Sequence, residues 1–150
     1  SKVKATIANQ LALYLTMYSP LQMAADFPEH YDQFADAFQF IKDVAVDWQK
    51  SKYLLAEPGD YIVVARKAKK SGQWFAGGVT DENSRTLDVP MNFLDPGKTY
   101  VAKIYADAHD ADYEKNPQAY VITEQDVTSE SVIPVFMARG GGFAIEFREK

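Results

Sequence analysis

The feature that most constrains this chain is a change of period. Before residue 56 apolar side chains recur at helical spacing, and from Glu57-Pro58-Gly59-Asp60 onward the spacing falls to about two. Pro-Gly-Asp is a turn signal, so a domain boundary is expected there, with residues 1–56 in one unit and residues 57–150 in the next.

Upstream, Ile7, Leu11, Tyr14 or Leu15, and Tyr18 fall on one helical stripe, and Leu13 and Met17 add a second apolar face. This predicts a widely buried helix over residues 4–18, stopped at Ser19-Pro20 because proline lacks a backbone donor and restricts the residue before it. Leu21-Gln22-Met23-Ala24-Ala25 is too short for a helix and is bounded by Pro20 and Asp26-Phe27-Pro28, which predicts a buried strand. A second helix is predicted over residues 32–48, with Phe34, Phe38, Ile41, Ala45 and Trp48 on its stripe. Helix, strand and helix cannot close a core alone. The right-handed crossover rule makes them the tail of a βα-repeated sheet or barrel, cut from something larger.

Downstream, strands are predicted at residues 61–67, 73–80, 85–89, 98–107, 118–126, 132–138 and 142–147. Lys70-Ser71-Gly72 and Asp95-Pro96-Gly97 supply turns, and Gly140-Gly141-Gly142 permits backbone angles that a Cβ resists. Short strands separated by turns predict an antiparallel sandwich.

Composition excludes several classes of function. With 47% hydrophobic and 25% charged residues the chain of 150 is neither disordered nor collagen-like, and its length suits about one domain. A net charge of −5 leaves no basic stripe for nucleic acid. The absence of cysteine removes disulfides, thiolate nucleophiles and Cys-ligated zinc, and His30 and His109 are too few for a histidine-rich metal site. The apolar run at residues 11–18 falls far short of the roughly 20 residues a bilayer requires, so no membrane span is expected. A start at Ser-Lys-Val-Lys suggests that any signal peptide is removed or lies outside this piece.

Several strings, in order, carry a resemblance. Leu11-Ala12-Leu13-Tyr14, then Tyr18-Ser19-Pro20-Leu21-Gln22-Met23-Ala24-Ala25-Asp26 and Ala37-Phe38-Gln39-Phe40-Ile41-Lys42-Asp43, resemble the end of the catalytic barrel of glycoside hydrolase family 97. Gly59-Asp60-Tyr61, Trp74-Phe75-Ala76-Gly77-Gly78-Val79-Thr80-Asp81-Glu82-Asn83, Tyr105-Ala106-Asp107, Asp110-Ala111-Asp112-Tyr113, Asn116-Pro117-Gln118-Ala119-Tyr120 and Gly140-Gly141-Gly142-Phe143 are similar to its C-terminal β-domain. The resemblance implies an α+β fold: the tail of a (β/α)8 barrel, then an antiparallel β-sandwich. It implies part of a calcium-dependent, periplasmic α-glucosidase or α-galactosidase acting on oligo- or disaccharides. The catalytic carboxylates and the glutamates that hold calcium then lie upstream of this piece. The sandwich would support the barrel or mediate oligomerisation, for instance as a homodimer. The alternative is a non-catalytic carbohydrate-binding or assembly module.

Candidate site residues follow. Asp26 closes the expected last barrel strand, where barrel active sites open, and Gln22 lies within that strand, so both are candidate substrate-binding residues. For Asp26 a turn cap competes with that role, and for Gln22 an amide satisfied by backbone. The acidic loop containing Asp107, His109, Asp110, Asp112 and Glu114 presents carboxylate oxygens at near-alternate positions, as a calcium loop does, without the glycine and distal glutamate of an EF-hand. Asp81-Glu82 and Glu29 with Asp32 are carboxylate pairs better suited to turns. Tyr61, Trp74, Phe75, Tyr100, Tyr105, Tyr113 and Tyr120 would stack on sugar rings if exposed, and fill the core if not.

Overall fold

The structure, a computed structural model, describes residues 6–16, 48–57 and 59–150. Among the described residues, helix α1 (Ile7–Thr16) is followed by eight strands: β1 (Trp48–Glu57), β2 (Tyr61–Ala68), β3 (Trp74–Thr80), β4 (Arg85–Pro90), β5 (Tyr100–Asp107), β6 (Tyr120–Val127), β7 (Val132–Met137) and β8 (Gly142–Glu149). Six form one sheet in the order β1-β2-β3-β8-β5-β6, while β4 and β7 pair as a second sheet. Every pairing is antiparallel. The predicted sandwich is therefore present, as a broad sheet capped by a narrow one.

Register explains which side chains go where. Val63, Gly78, Phe143 and Ala106 align across four strands, and Ala65, Ala76, Ile145 and Ile104 form the next row. This face meets Val89, Ile133, Val135 and Met137 of the narrow sheet in the main core. The rows between them, such as Val64, Gly77, Ala144 and Tyr105, belong to the opposite face. There α1 packs on β3 and β8 with Ile7, Ala8, Leu11 and Ala12 buried. The two central strands are thus covered on both sides, which accounts for the continuous apolar texture of Phe75-Ala76-Gly77-Gly78-Val79 and Phe143-Ala144-Ile145.

The sheet begins earlier than the change of period suggests. Trp48, placed on a helix by its spacing, opens β1, and the turn at residues 57–60 is the β1–β2 hairpin, closed by Asp60 N–H donating to Glu57 C=O at 2.9 Å. Two register shifts, between Trp48 and Lys50 and between Tyr53 and Leu55, break the alternation of β1. A bulged strand carries no clean period-two pattern. The predicted strand at residues 21–25, and the predicted helix over 32–48 apart from Trp48, lie outside the described residues. The barrel tail of the expected fold class rests on those residues.

Candidate functional site

Asp26, Gln22, Glu29 and Asp32 also lie outside the described residues. The acidic loop after β5 is described in full, and its carboxylates are engaged in holding the fold. Asp112 accepts N–H groups from Glu114 and Lys115, both at 3.0 Å, and an ion pair from the Arg139 guanidinium. The Arg139 hydrogen bond, the largest of its influences, holds the Asp112 carboxyl far below the usual carboxylate range.

Arg139 also reaches Glu114 at 2.7 Å, and Asn116 donates to the Asp110 carboxylate at 3.3 Å. Among the described residues no three His, Asp or Glu converge on a metal position. The loop therefore does not fit the calcium ion, because its oxygens face donors within the chain. Asp81 is similarly occupied: it accepts from Asn83 N–H at 2.9 Å and pairs with Arg85 at 3.0 Å.

Asp107 behaves differently from its neighbours. It ends β5 at 3% exposure, and its Oδ2 accepts from the N–H groups of Ala138 at 2.8 Å and Gly142 at 2.9 Å. The other oxygen, Oδ1, is buried without a hydrogen-bond partner among the described residues, and the Thr6 side chain nearby also favours the charged form. Desolvation outweighs these bonds and pushes the carboxyl up to about 6. The loop at residues 138–142 is built around it. Gly140 has φ +67°, a left-handed conformation that suits glycine. Gly141 and Gly142 serve close approach instead: a Cβ on Gly141 would lie 1.9 Å from Asp107 Oδ2, and one on Gly142 3.0 Å from Asn9 Cα of α1.

Helix α1 enters the same junction. Thr6 caps it by accepting from Asn9 N–H at 3.0 Å, and Asn9 Nδ2 donates to Gly141 C=O at 2.8 Å. Ile7 N–H donates to Pro117 C=O at 2.8 Å, which satisfies another amide left free by the helix start. Short polar groups from α1, β5 and the β7–β8 loop thus close one joint.

The aromatic candidates divide by burial. Trp74, Phe75, Tyr100 and Tyr105 are in the interior, while Tyr61 and Tyr113 are half-buried under the guanidinium groups of Arg85 and Arg139, each 4.9 Å from the ring centre. Tyr120 is half-buried as well. Sequence spacing did not single out Phe136. It lines a cleft of about 360 Å³ at the margin between β6 and β7, and His109 lies over it with ring centres 4.7 Å apart.

This geometry defines an accessory β-sandwich with a docked helix, in which Asp81, Asp107 and the acidic loop serve structure. The sequence pattern described as "Glycosyl-hydrolase 97 C-terminal, oligomerisation" matches residues 47–148, and the chain belongs to this family. It is 32% identical over 143 residues to a retaining alpha-galactosidase of Bacteroides thetaiotaomicron, covering 95% of this chain and 21% of that protein. A probable retaining alpha-galactosidase of Streptomyces bingchenggensis is 29% identical over 140 residues, covering 93% and 20%. The chain spans about a fifth of the length of these curated relatives.

Among solved structures, a Glycoside Hydrolase Family 97 enzyme from Pseudoalteromonas sp. strain K8 superposes with a TM-score of 0.93 at 45% identity, over 98% of this chain and 23% of that one. Its structures include complexes with panose and with acarbose. The chain is thus the C-terminal portion of a family 97 glycoside hydrolase, and its β-sandwich is the expected one.

Proposed function

We propose that this chain completes a calcium-dependent α-glycosidase of the α-glucosidase type in the periplasm. The residues ahead of β1 would finish the catalytic barrel, and the sandwich would brace the barrel or hold copies of the enzyme together. The observation that carries the reading is the likeness, at 45% identity across 98% of the chain, to an enzyme whose structures include panose and acarbose complexes. Panose is a trisaccharide of α-linked glucose, which favours glucosides over the galactosides named for the relative at 32% identity. Hydrolysis would rest on a pair of carboxyl groups, one acting on the leaving oxygen and the other as nucleophile or base. Asp81, Asp107 and the carboxylates of the acidic loop are bound into turns, ion pairs or the interior, and the pair and the calcium ligands would belong to the parent protein outside the described residues. Gln22 and Asp26 would line the sugar pocket.

The test is hydrolysis of aryl α-glucoside and aryl α-galactoside by the intact parent protein and by the 150-residue segment, with and without a chelator. Turnover of the glucoside by the parent alone, lost on chelation and restored by calcium, is expected. Chelator-resistant activity removes calcium from the proposal, preference for the galactoside reverses its specificity, and activity of the segment overturns the upstream placement of the chemistry.

A further inference from the structure

We propose that the cleft between β6 and β7 is a second sugar site, taking a neutral α-linked glucose oligosaccharide apart from the site of hydrolysis. Strand β6 extends the core face of the broad sheet past the cover of the narrow one. Val121, Thr123 and Gln125 stand opposite Ala106, Ile104 and Ala102, so they share the core-facing side, yet all three are exposed. At the far end of β6, Val127 is buried, so the face is closed there and open toward Val121.

Across the opening lies Phe136, half-buried, aligned with exposed Thr86 on β4 and stacked with His109. The result is a cleft of about 360 Å³ whose lining carries no Lys, Arg or Glu, and whose one carboxylate, Asp107, is buried and bonded to backbone amides. That volume lies in the range of small-molecule sites, roughly 300–1,000 Å³.

The lining suits a polyol. An aromatic face packs against the C–H face of a pyranose ring, and an amide and two hydroxyl groups exchange hydrogen bonds with sugar hydroxyls. A lining with so little charge favours an uncharged ligand over a phosphate or a peptide carrying charged side chains. Helix α1 covers the opposite face of the broad sheet, so it leaves the cleft open.

The choice of α-linked glucose rests on the glycosidase reading above, and the experiment separates the two. The intact parent protein is run by native affinity electrophoresis through gels containing soluble starch, dextran or galactan. The same samples are assayed on aryl α-glucoside and aryl α-galactoside. Retardation by starch is expected to weaken about fivefold or more in Gln125→Ala and Phe136→Ala, as loss of one amide contact or one stacking ring would give, with aryl-glycoside turnover unchanged.

Gln125 is exposed, so its replacement keeps the test valid where the Phe136 variant fails to fold. Equal retardation of wild type and Gln125→Ala overturns the site, as does retardation by galactan alone or by no polysaccharide. A change of oligomeric state in Gln125→Ala without a change in retardation makes the cleft a protein interface, which also overturns it. Turnover of the galactoside with starch retardation still dependent on Gln125 leaves the cleft standing and removes the glucosidase reading.

Discussion

Asp107 concentrates several roles in one side chain. Its folded-state carboxyl sits near 6 against an ordinary value of 3.8, so between those values the folded protein holds a proton that the unfolded chain has released. Its contribution therefore has an unusual sign: stability rises as pH falls from above 6 toward 4, by up to about 3 kcal/mol for a shift of this size. Asp112, held low by Arg139, works in the opposite direction and loses its contribution as pH falls through the acid range.

Chemical denaturation between pH 4 and 8 should show the rise in the wild type and a flatter profile in Asp107→Asn, and an unchanged slope would refute the assignment. Asp107→Ala strands two buried amides and is expected to cost about 2–4 kcal/mol at neutral pH in the same measurement. The sequence shows this residue as one of several acids in a loop. Nothing in its spacing distinguishes it from Asp110 and Asp112, because its partners at positions 138 and 142 are distant in the chain.

Among the elements, α1 depends most on others for its position. At 10 residues it is short enough to be marginal alone, so it persists through its cap and its seat on β3 and β8. Thr6→Ala removes the cap, and should cost about 1–2 kcal/mol. Amide hydrogen exchange should report that loss first in residues 9–12, and protection unchanged in α1 would contradict the joint described here. Elements were legible where periodicity was local and unbroken. The seven strands expected from residue 61 onward match β2 to β8 to within two residues at each end. β1 was missed because its bulges scramble the alternation, and the narrow sheet was invisible because β4 and β7 meet across more than 40 residues of chain.

At the scale of the whole molecule, β1 and β6 are the two edges of the broad sheet among the described residues. They are protected unequally: β1 carries Lys50 and Lys52 and two register shifts, whereas β6 pairs with β5 in unbroken register. If the sandwich holds copies together, sedimentation of the intact parent should show a dimer or larger species that dissociates on dilution, whereas a monomer at micromolar concentration leaves only the bracing role. The family and sandwich were readable because the ordered strings and the strand spacing lie within the local sequence. The joint and the cleft were not, since both are made by residues that folding alone brings together.

The seat of α1 is finished by the last strand of the sandwich. On a ribosome adding roughly 5–20 residues per second, the helix emerges on the order of ten seconds before the strand that completes its berth. Throughout that interval the apolar stripe of Ile7, Ala8, Leu11 and Ala12 has only part of its cover. Synthesis of β8 is therefore the moment at which the start of this chain and its end become one folded body.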